Sequence, residues 1–391
     1  ISPYVHSKNP SEREAAYKAL FLPYEKDILK HFNIYQAIAK DWDENSRLRG
    51  YPSPISLRNF RNDIEDKTIE TVMNVCSENS ILFQEYFRKK AKALGMKKLR
   101  RYDIYAPVGG KEHKYTFEES KKKVLEIFNE FTPGFHARAK LIFDEEHVDS
   151  HPRQGKRSGA FCSTTAPSIT PYVLLNFNGT PNSLMTMAHE LGHGIHSLYS
   201  NKLSTLVQSE PLPLAETAST FSEMLIFDRL LEEIKNPEEK KTLLFEKIGS
   251  SYATIIRQNY FVKFEVAAHD AIKKGTTAKG LCDIYSENLK EQFGSSIDIS
   301  DEFRFEWSYI PHIFRTPFYC YAYNFGELLA MSLYSIYKSR GKSFIPKIEM
   351  ILASGGSEKP SRLLKSIGID INSKSFWNGS FSMIREWLKL L

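Results

Sequence analysis

Two histidines are separated by one helical turn in the run His189-Glu190-Leu191-Gly192-His193. On an α-helix, side chains four positions apart lie one above the other, so both imidazoles can reach one metal ion while Glu190 lies beside them. The spacing predicts a zinc site in which His189 and His193 bind the metal. Glu190 is then expected to serve as the general base that takes a proton from water.

A catalytic zinc ion needs a third protein ligand and keeps one position for water. The metzincin pattern would continue with Gly at position 196 and His at position 199, and it is excluded because His196 and Tyr199 occupy these positions. Glu216, on the next predicted helix, is the expected third ligand of one zinc ion per chain. Such an ion polarises a carbonyl and lowers the pKa of bound water to about 7, which suits amide hydrolysis at neutral pH.

Two more polar residues lie on the same predicted helices as the three proposed ligands. Glu223 follows Glu216 by two helical turns and could orient a ligand histidine by accepting a hydrogen bond from it. The alternative for Glu223 is an ordinary exposed helix carboxylate. His196 is on the ligand face of its helix, and we expect it to be a packing residue.

The elements that must position these groups can also be predicted. Thr180 is a suitable N-cap and Pro181 a suitable first residue for the helix that carries His189 and His193, which we call the metal helix. The pattern at 214–233 predicts the following helix. Two β-like runs precede them, at 159–162 and 172–177, and the edge of a small sheet can pair with an extended peptide. Apolar residues elsewhere recur at helical spacing, so we expect a mainly α fold with a small β-sheet beside the metal helix.

Composition limits the class of protein. With 391 residues and 41% hydrophobic content, the chain can bury a sizeable core. We expect one catalytic unit over 1–391, with a helical lobe at 1–150 and the zinc-site lobe at 151–391. No eighteen-residue apolar run is present, which argues against a membrane protein.

The basic runs and the cysteines point to no further partner. The net charge of +6 is spread along the chain and no nucleic-acid motif accompanies the basic runs, so we expect solvated helix faces and no nucleic-acid partner. The four cysteines form no closely spaced pair. This usage favours free thiols and a cytoplasmic location.

An aromatic segment at 307–323 is a second candidate for chemistry. Hydrolysis of an amide needs donors aimed at the oxyanion of the tetrahedral intermediate, and the imidazole of His312 and the nearby phenols are suitable. Core packing is the alternative, since aromatic residues at helical spacing usually pack. Thr316-Pro317 predicts the start of the helix that follows.

These motifs and their order resemble the oligoendopeptidase F branch of the thimet-oligopeptidase family of zinc metallopeptidases. The resemblance extends over nearly the whole chain. It rests on the following stretches: Gly159-Ala160-Phe161, Leu175-Asn176-Phe177-Asn178-Gly179-Thr180, His189 to His196, Ala215-Glu216-Thr217-Ala218-Ser219-Thr220-Phe221 and Ile310-Pro311-His312 with its tyrosines.

The resemblance implies a helical gluzincin fold with a deep substrate channel. It also implies that Gly159 and Ala160 lie on an edge strand that binds the substrate backbone, and that His312 and one tyrosine stabilise the transition state. Tyr321 is the first choice for that tyrosine, Tyr319 is the second and Tyr323 is a further candidate. Tyr323 is also expected to bind substrate. Family members usually carry a further N-terminal helical region, most of which this sequence lacks.

Together these observations predict a zinc-dependent endopeptidase that cleaves internal bonds of short unstructured oligopeptides. Two alternatives remain at this stage. One is a dipeptidyl carboxypeptidase or carboxypeptidase with the same chemistry, which would need a pocket for the terminal carboxylate. The other is a peptide-binding protein with little turnover.

Overall fold

The computed structural model describes residues 2–110 and 113–391, apart from the side chains of residues 2 and 3. The mainly α prediction is confirmed. In chain order, the α-helices are α1 (Ser2–Val5), α2 (Pro10–Lys26), α3 (Ile28–Leu48), α4 (Pro54–Arg61), α5 (Asp66–Glu78), α6 (Ser80–Ala93), α7 (Phe117–Phe131), α8 (Pro133–Asp144), α9 (Pro181–Tyr199), α10 (Thr217–Glu233), α11 (Pro237–Ser251), α12 (Arg257–Lys273), α13 (Ala278–Phe293), α14 (Pro311–Arg315), α15 (Tyr321–Arg340), α16 (Ile345–Ala353), α17 (Pro360–Ser366) and α18 (Lys374–Leu390).

Short strands and turns complete the secondary structure. The strands are β1 (Leu99–Arg100), β2 (Val148–Asp149), β3 (Phe161–Ser163), β4 (Tyr172–Leu174) and β5 (Ile297–Asp298). A π-helical turn, Tyr252–Ile256, joins α11 to α12. No helix in residues 2–110 and 113–391 combines the length and the apolar character that crossing a bilayer requires.

The chain forms two compact units, each assembled from separate stretches. The first comprises Ile1–Val108, Leu244–Asn324 and Ile384–Leu391, and the second comprises Gly109–Leu243 and Phe325–Met383. Residues 109–150, which the sequence analysis groups with the N-terminal lobe, cluster with the metal helix. The reason is that α7 packs on α8 and α10 while α8 packs on α9.

The first unit is built around helices α2 to α6, α12 and α13. A buried ionic cluster lies in its core, where Glu306 accepts hydrogen bonds from Arg101 at 2.6 Å, Arg257 at 3.0 Å and the Tyr285 hydroxyl at 3.0 Å. Complete pairing of this kind lets a carboxylate remain buried. Strands β1 and β5 pair in parallel in the same unit.

The aromatic segment also belongs to the first unit, and it differs from the prediction there. The helix expected to start at Thr316-Pro317 begins instead at Tyr321. Phe318 has a φ of 58°, a left-handed conformation that interrupts the helical path between α14 and α15. The interruption leaves Tyr319 before the helix and places Tyr321 and Tyr323 in its first turn.

The second unit contains the metal helix with the predicted start. The Thr180 hydroxyl caps α9 by accepting a hydrogen bond from the Ser183 N–H at 3.1 Å, and Pro181 is the first helical residue. Helix α9 packs mainly on α10. Its Gly192 permits this, because a Cβ there would lie 2.5 Å from the Cα of Ser219.

A three-stranded sheet in the order β2-β4-β3 accompanies the metal helix. Strand β4 pairs in parallel with β2 and antiparallel with β3, with Cys162 opposite Val173. Both β3 and β4 contact α9. The sheet therefore presents β3 as an edge next to the helix that carries the two histidines.

Candidate active site

The predicted metal-binding residues meet in the second unit. One donor atom from each of His189, His193 and Glu216 lies within 4.8 Å of the other two. Glu216 Oε2 is 3.3 Å from His189 Nε2 and 3.5 Å from His193 Nε2. A tetrahedral zinc ion with bonds of about 2.0–2.1 Å holds its ligand atoms roughly 3.4 Å apart, so this donor set has the spacing and chemistry that fit the ion.

Two glycines and a serine position the Glu216 carboxylate. Gly192 brings α10 close to α9, and Glu216 is the residue directly before α10. A Cβ on Gly326 would lie 2.9 Å from the Cβ of Glu216, so only glycine leaves room for that side chain. The Ser219 hydroxyl donates to Glu216 Oε2 at 2.8 Å. Residues of α9, α10 and α15 thus position the carboxylate together.

Burial and neighbouring charges set the protonation of the three donor side chains. Burial raises the pKa of Glu216, but the hydrogen bond from His189 and the charges of both histidines outweigh it and lower the pKa to about 2. Burial lowers the pKa of His193 to about 4, which leaves that imidazole neutral. Burial also acts against the charged form of His189, but the carboxylates of Glu216 and Glu223 raise its pKa to about 10. His189 is therefore protonated in the metal-free protein, and a metal ion would displace the proton on Nε2.

Glu190 faces a cavity of about 420 Å³ that also exposes the three donor residues. The residue is 7% exposed, and burial raises the pKa of its carboxyl group. A raised pKa brings a carboxylate closer to the proton affinity that a general base needs at neutral pH. Glu190 thus lines the cavity with a carboxyl group that burial makes easier to protonate.

Glu223 and His196 occupy different surroundings. Glu223 Oε2 lies 3.4 Å from His189 Nδ1, the ring nitrogen that does not face Glu216. This arrangement favours the Nε2 lone pair of His189 for metal binding. His196 is 1% exposed, as a packing residue should be, and its Nδ1 lies 3.8 Å from Glu210 Oε1.

The predicted substrate-binding residues Gly159 and Ala160 directly precede edge strand β3. Gly159 has a φ of 83°, and its carbonyl oxygen accepts a hydrogen bond from the Asn176 side chain at 2.7 Å. Ala160 lines the cavity together with Phe161 and Cys162. The edge of the sheet and the metal donors thus border the same space within the second unit.

In the first unit, His312 forms a cluster with two of the three candidate tyrosines. His312 Nε2 is 3.2 Å from the Tyr323 hydroxyl, and the His312 and Tyr319 rings are stacked with centroids 5.9 Å apart. Burial and the charge of Arg315 lower the pKa of His312, which favours a neutral imidazole.

Tyr321, the first choice from the sequence, lies apart from this cluster. It is 0% exposed, and its hydroxyl accepts a hydrogen bond from Asn62 at 2.8 Å. Tyr319 and Tyr323 are both partly exposed, and their spacing of four residues puts them on one side, opposite Tyr321. Of the three candidates, Tyr323 is the one whose hydroxyl contacts His312.

The structure adds residues that the sequence analysis does not identify. Ser197 lines the cavity one turn beyond His193 on α9, and Ser200, the residue directly after the helix, lines it as well. Helical phase could have found Ser197. Gln208, Ser209 and Glu210 line it from the loop after α9, and no local pattern marks that loop.

Comparison with known proteins places these motifs in one family. The model of peptidase family M3 matches residues 4–383. An oligoendopeptidase F homolog of Lactococcus lactis subsp. lactis strain IL1403 is 29% identical over 393 aligned residues, which cover 100% of this chain and 65% of the relative. Oligopeptidase PepF of Bacillus subtilis strain 168 is 27% identical, with 98% of this chain and 58% of the relative covered.

Solved structures have the same fold. A crystal structure from Chlamydophila abortus superposes with a TM-score of 0.91 at 29% identity, over 99% of this chain and 65% of that one. Oligoendopeptidase-F from Enterococcus faecium gives a TM-score of 0.79 at 24% identity, over 99% and 64%. The chain spans about two thirds of the length of these proteins, and it belongs to peptidase family M3.

Proposed function

We propose that this protein is a zinc-dependent endopeptidase that hydrolyses internal bonds of short unstructured peptides. The convergence of His189, His193 and Glu216 on one point, with Glu190 facing the same cavity, is the observation that carries the proposal. The names of the similar oligoendopeptidases F support peptide substrates. One ion per chain is expected, because the described residues contain a single such donor cluster.

Each side chain receives a role from its surroundings. His189, His193 and Glu216 would hold the ion, and Glu223 would fix the tautomer of His189. When bound, zinc supplies a Lewis acid that polarises a carbonyl and makes water more acidic. Glu190 takes a proton from the attacking water and passes it to the leaving amine.

Oxyanion stabilisation is proposed for His312 and Tyr323. Both side chains are partly exposed, and each carries a hydrogen-bond donor. Donors of this type stabilise the charge that develops on the carbonyl oxygen. The extended substrate backbone is proposed to pair with the edge of β3 next to Gly159 and Ala160.

The charge of the cavity supports internal rather than carboxy-terminal cleavage. A carboxypeptidase must bind the terminal carboxylate, either with a cationic side chain such as a bidentate arginine or with backbone N–H groups. Among the described residues that line the cavity, none is Lys or Arg. The arginine solution is therefore not available within this lining.

A comparison with Glu190→Gln tests the proposal. Both zinc-loaded proteins are incubated with one peptide blocked at both ends and with its free-ended counterpart, and the fragments are identified by mass spectrometry. We expect internal cleavage of both peptides, slower by roughly 100- to 10,000-fold in Glu190→Gln at equal zinc content. Equal cleavage rates in the starting protein and in Glu190→Gln would refute the proposal that the protein is an enzyme. Cleavage of the free-ended peptide alone would indicate a carboxypeptidase.

A further inference from the structure

The cavity extends beyond the metal site along helix α9. Its lining continues from His193 to Ser197, one turn further along α9, and to Ser200, the residue directly after the helix. Gln208, Ser209 and Glu210, on the loop after α9, form another wall of the cavity. A cavity of about 420 Å³ has room for more than a scissile peptide group, so this end can take a substrate side chain.

Glu210 is the charged group at this end of the cavity. Its side chain is 19% exposed. Within the described part of the chain, the one basic nitrogen closer than 4.0 Å is His196 Nδ1, at 3.8 Å, which is too long for a hydrogen bond. A largely buried carboxylate without a close partner is costly, and a cation from a ligand would offset that cost.

No lysine or arginine of the cavity lining supplies this cation, and the two histidines of the lining belong to the proposed metal-binding set. The cavity lining contains the carboxylates of Glu190, Glu210 and Glu216, and no Lys or Arg among the residues that the structure describes. Glu216 belongs to the metal-binding set, and Glu190 is the proposed base. Glu210 is therefore the carboxylate that remains for substrate recognition.

Neutral oxygens complete a site for a cation. The hydroxyl groups of Ser197, Ser200 and Ser209 and the amide oxygen of Gln208 are all possible acceptors on the lining. An ammonium group offers three donors and a guanidinium group five, more than a single carboxylate accepts. The mixture of one charge and several neutral acceptors matches the head of a lysine or arginine side chain.

The wall that carries Glu210 is held in place from behind. The Gly356 N–H donates to the Val207 carbonyl oxygen at 2.9 Å. Gly355 has a φ of 47°, and a Cβ there would lie 2.5 Å from the Gln208 carbonyl oxygen. The two glycines thus allow one backbone to lie directly against the other. A wall fixed before binding reduces the entropy lost when the ligand binds.

We propose that Glu210 is the centre of a specificity subsite that binds a basic side chain of the substrate at a constant distance in sequence from the cleaved bond. This inference rests on the proposed peptidase function and adds the class of peptide that the site prefers: chains with an internal arginine or lysine. The free amino terminus of a short peptide carries the same kind of charge, and the experiment separates it from a side chain.

The test uses peptides blocked at both ends that carry either arginine or citrulline, its uncharged analogue, at one internal position. For the zinc-loaded starting protein, we expect kcat/KM to be roughly 10- to 100-fold higher for the arginine peptide, the range that one partly buried charge pair supports. The arginine should lie at one fixed distance from the cleaved bond. In Glu210→Gln, the arginine-to-citrulline ratio should fall to below about 3, whereas the exposed control Glu232→Gln should keep it.

Each of three results would contradict the proposed subsite at Glu210. One is an unchanged arginine-to-citrulline ratio in Glu210→Gln. Another is a ratio near one in the starting protein. The third is a preference that appears only when the amino terminus is left unblocked, which would assign the charge to the terminal ammonium group.

Failure of the peptidase proposal is distinguishable from failure of the subsite. If the starting protein cleaves neither peptide faster than Glu190→Gln does, the enzyme proposal fails. Calorimetric binding of the arginine and citrulline peptides to zinc-loaded Glu190→Gln then still decides whether the cation is recognised. Equal affinities would refute the subsite independently of turnover.

Discussion

Glu265 accepts a hydrogen bond from the Phe318 backbone N–H at 2.8 Å, and both residues are buried. The carbonyl oxygen of the same peptide bond, on Pro317, accepts one from Arg58 Nε at 2.9 Å. Two buried side chains thus hold both polar groups of a single peptide unit. That unit lies in the turn between His312 and Tyr323, so its anchoring maintains the spacing of the two proposed oxyanion donors.

The titration of Glu265 predicts a dependence of stability on pH. Burial raises its pKa from 4.5 to about 8, although the Phe318 N–H and Arg58 act in the opposite direction. Between these values the folded protein retains a proton that the unfolded chain has released. The contribution of Glu265 to the free energy of unfolding is therefore fully present below pH 4.5. It falls by up to about 1.4 kcal/mol per pH unit as the pH rises to 8.

Glu265→Gln isolates this effect. The amide can accept the same N–H bond but does not titrate, so its unfolding temperature relative to the starting protein should rise between pH 5.5 and pH 8. Glu70→Gln, a substitution at an exposed position of the same unit, is the control and should show no such trend. Parallel pH profiles for Glu265→Gln and the starting protein would contradict the assignment.

The two tyrosines should respond differently to removal of their hydroxyl groups. Tyr323→Phe should lower kcat by on the order of 100-fold with little change in unfolding temperature, as expected for loss of one oxyanion donor. Tyr321→Phe should keep kcat and lose stability, because the side-chain N–H of Asn62 loses its buried acceptor. Steady-state kinetics and thermal unfolding of both variants decide which tyrosine contributes to catalysis and which to stability. A larger loss of kcat in Tyr321→Phe would reverse the assignment.

Gly192→Ala should damage the metal site through packing. The new methyl group would meet the Ser219 Cα at 2.5 Å and the Ala218 carbonyl oxygen at 2.7 Å, so α10 must move. We expect a loss of about 1–3 kcal/mol in stability together with weaker zinc binding.

Gly379→Ala is the matched helical control in the second unit. Its Cβ would find its nearest neighbour, Ser335 Oγ, at 3.6 Å, which is an ordinary contact. The change should be neutral or should stabilise by up to about 1 kcal/mol. Calorimetry and metal analysis of both variants test the pair, and equal unfolding temperatures would show that the contact between α9 and α10 is not tight.

Glu216 and Glu223 should affect zinc affinity to different degrees. Glu216→Ala removes a proposed ligand and should lower the affinity by well over 100-fold. Glu223→Gln leaves the donor set intact but weakens the orientation of His189, and a loss of about 10- to 100-fold is expected. Competition with a chromophoric chelator measures both. Undiminished affinity in Glu216→Ala would remove that residue from the ligand set.

The grouping of His189, His193 and Glu216 was largely predictable because most of the information for it is local. The spacing of His189 and His193 needs only helical geometry, and the Thr180-Pro181 start is local as well. Glu216 required one further assumption, that the next helix returns to the first. Gly192 makes that return close, but a glycine inside a helix does not by itself indicate what it approaches.

The path of the chain at the tyrosines was not predictable in the same way. Helical spacing alone puts Tyr319 and Tyr323, four residues apart, on one face and Tyr321 on the opposite one. The left-handed Phe318 and the delayed helix start at Tyr321 do not follow from that spacing, because the Phe318 N–H is held by Glu265, which is distant in the sequence. Glu210 likewise reaches the cavity on a loop whose path depends on Gly355 and Gly356. Contacts between distant segments decide these positions.

The shortness of edge strand β3 has a kinetic consequence. Its three residues can form only a few main-chain hydrogen bonds with a peptide, and each contributes about 0.5–1.5 kcal/mol net. A fragment that retains only this pairing after cleavage dissociates rapidly. We therefore expect distributive cutting, in which a long peptide is released between successive cleavages and partly trimmed intermediates accumulate before the final products.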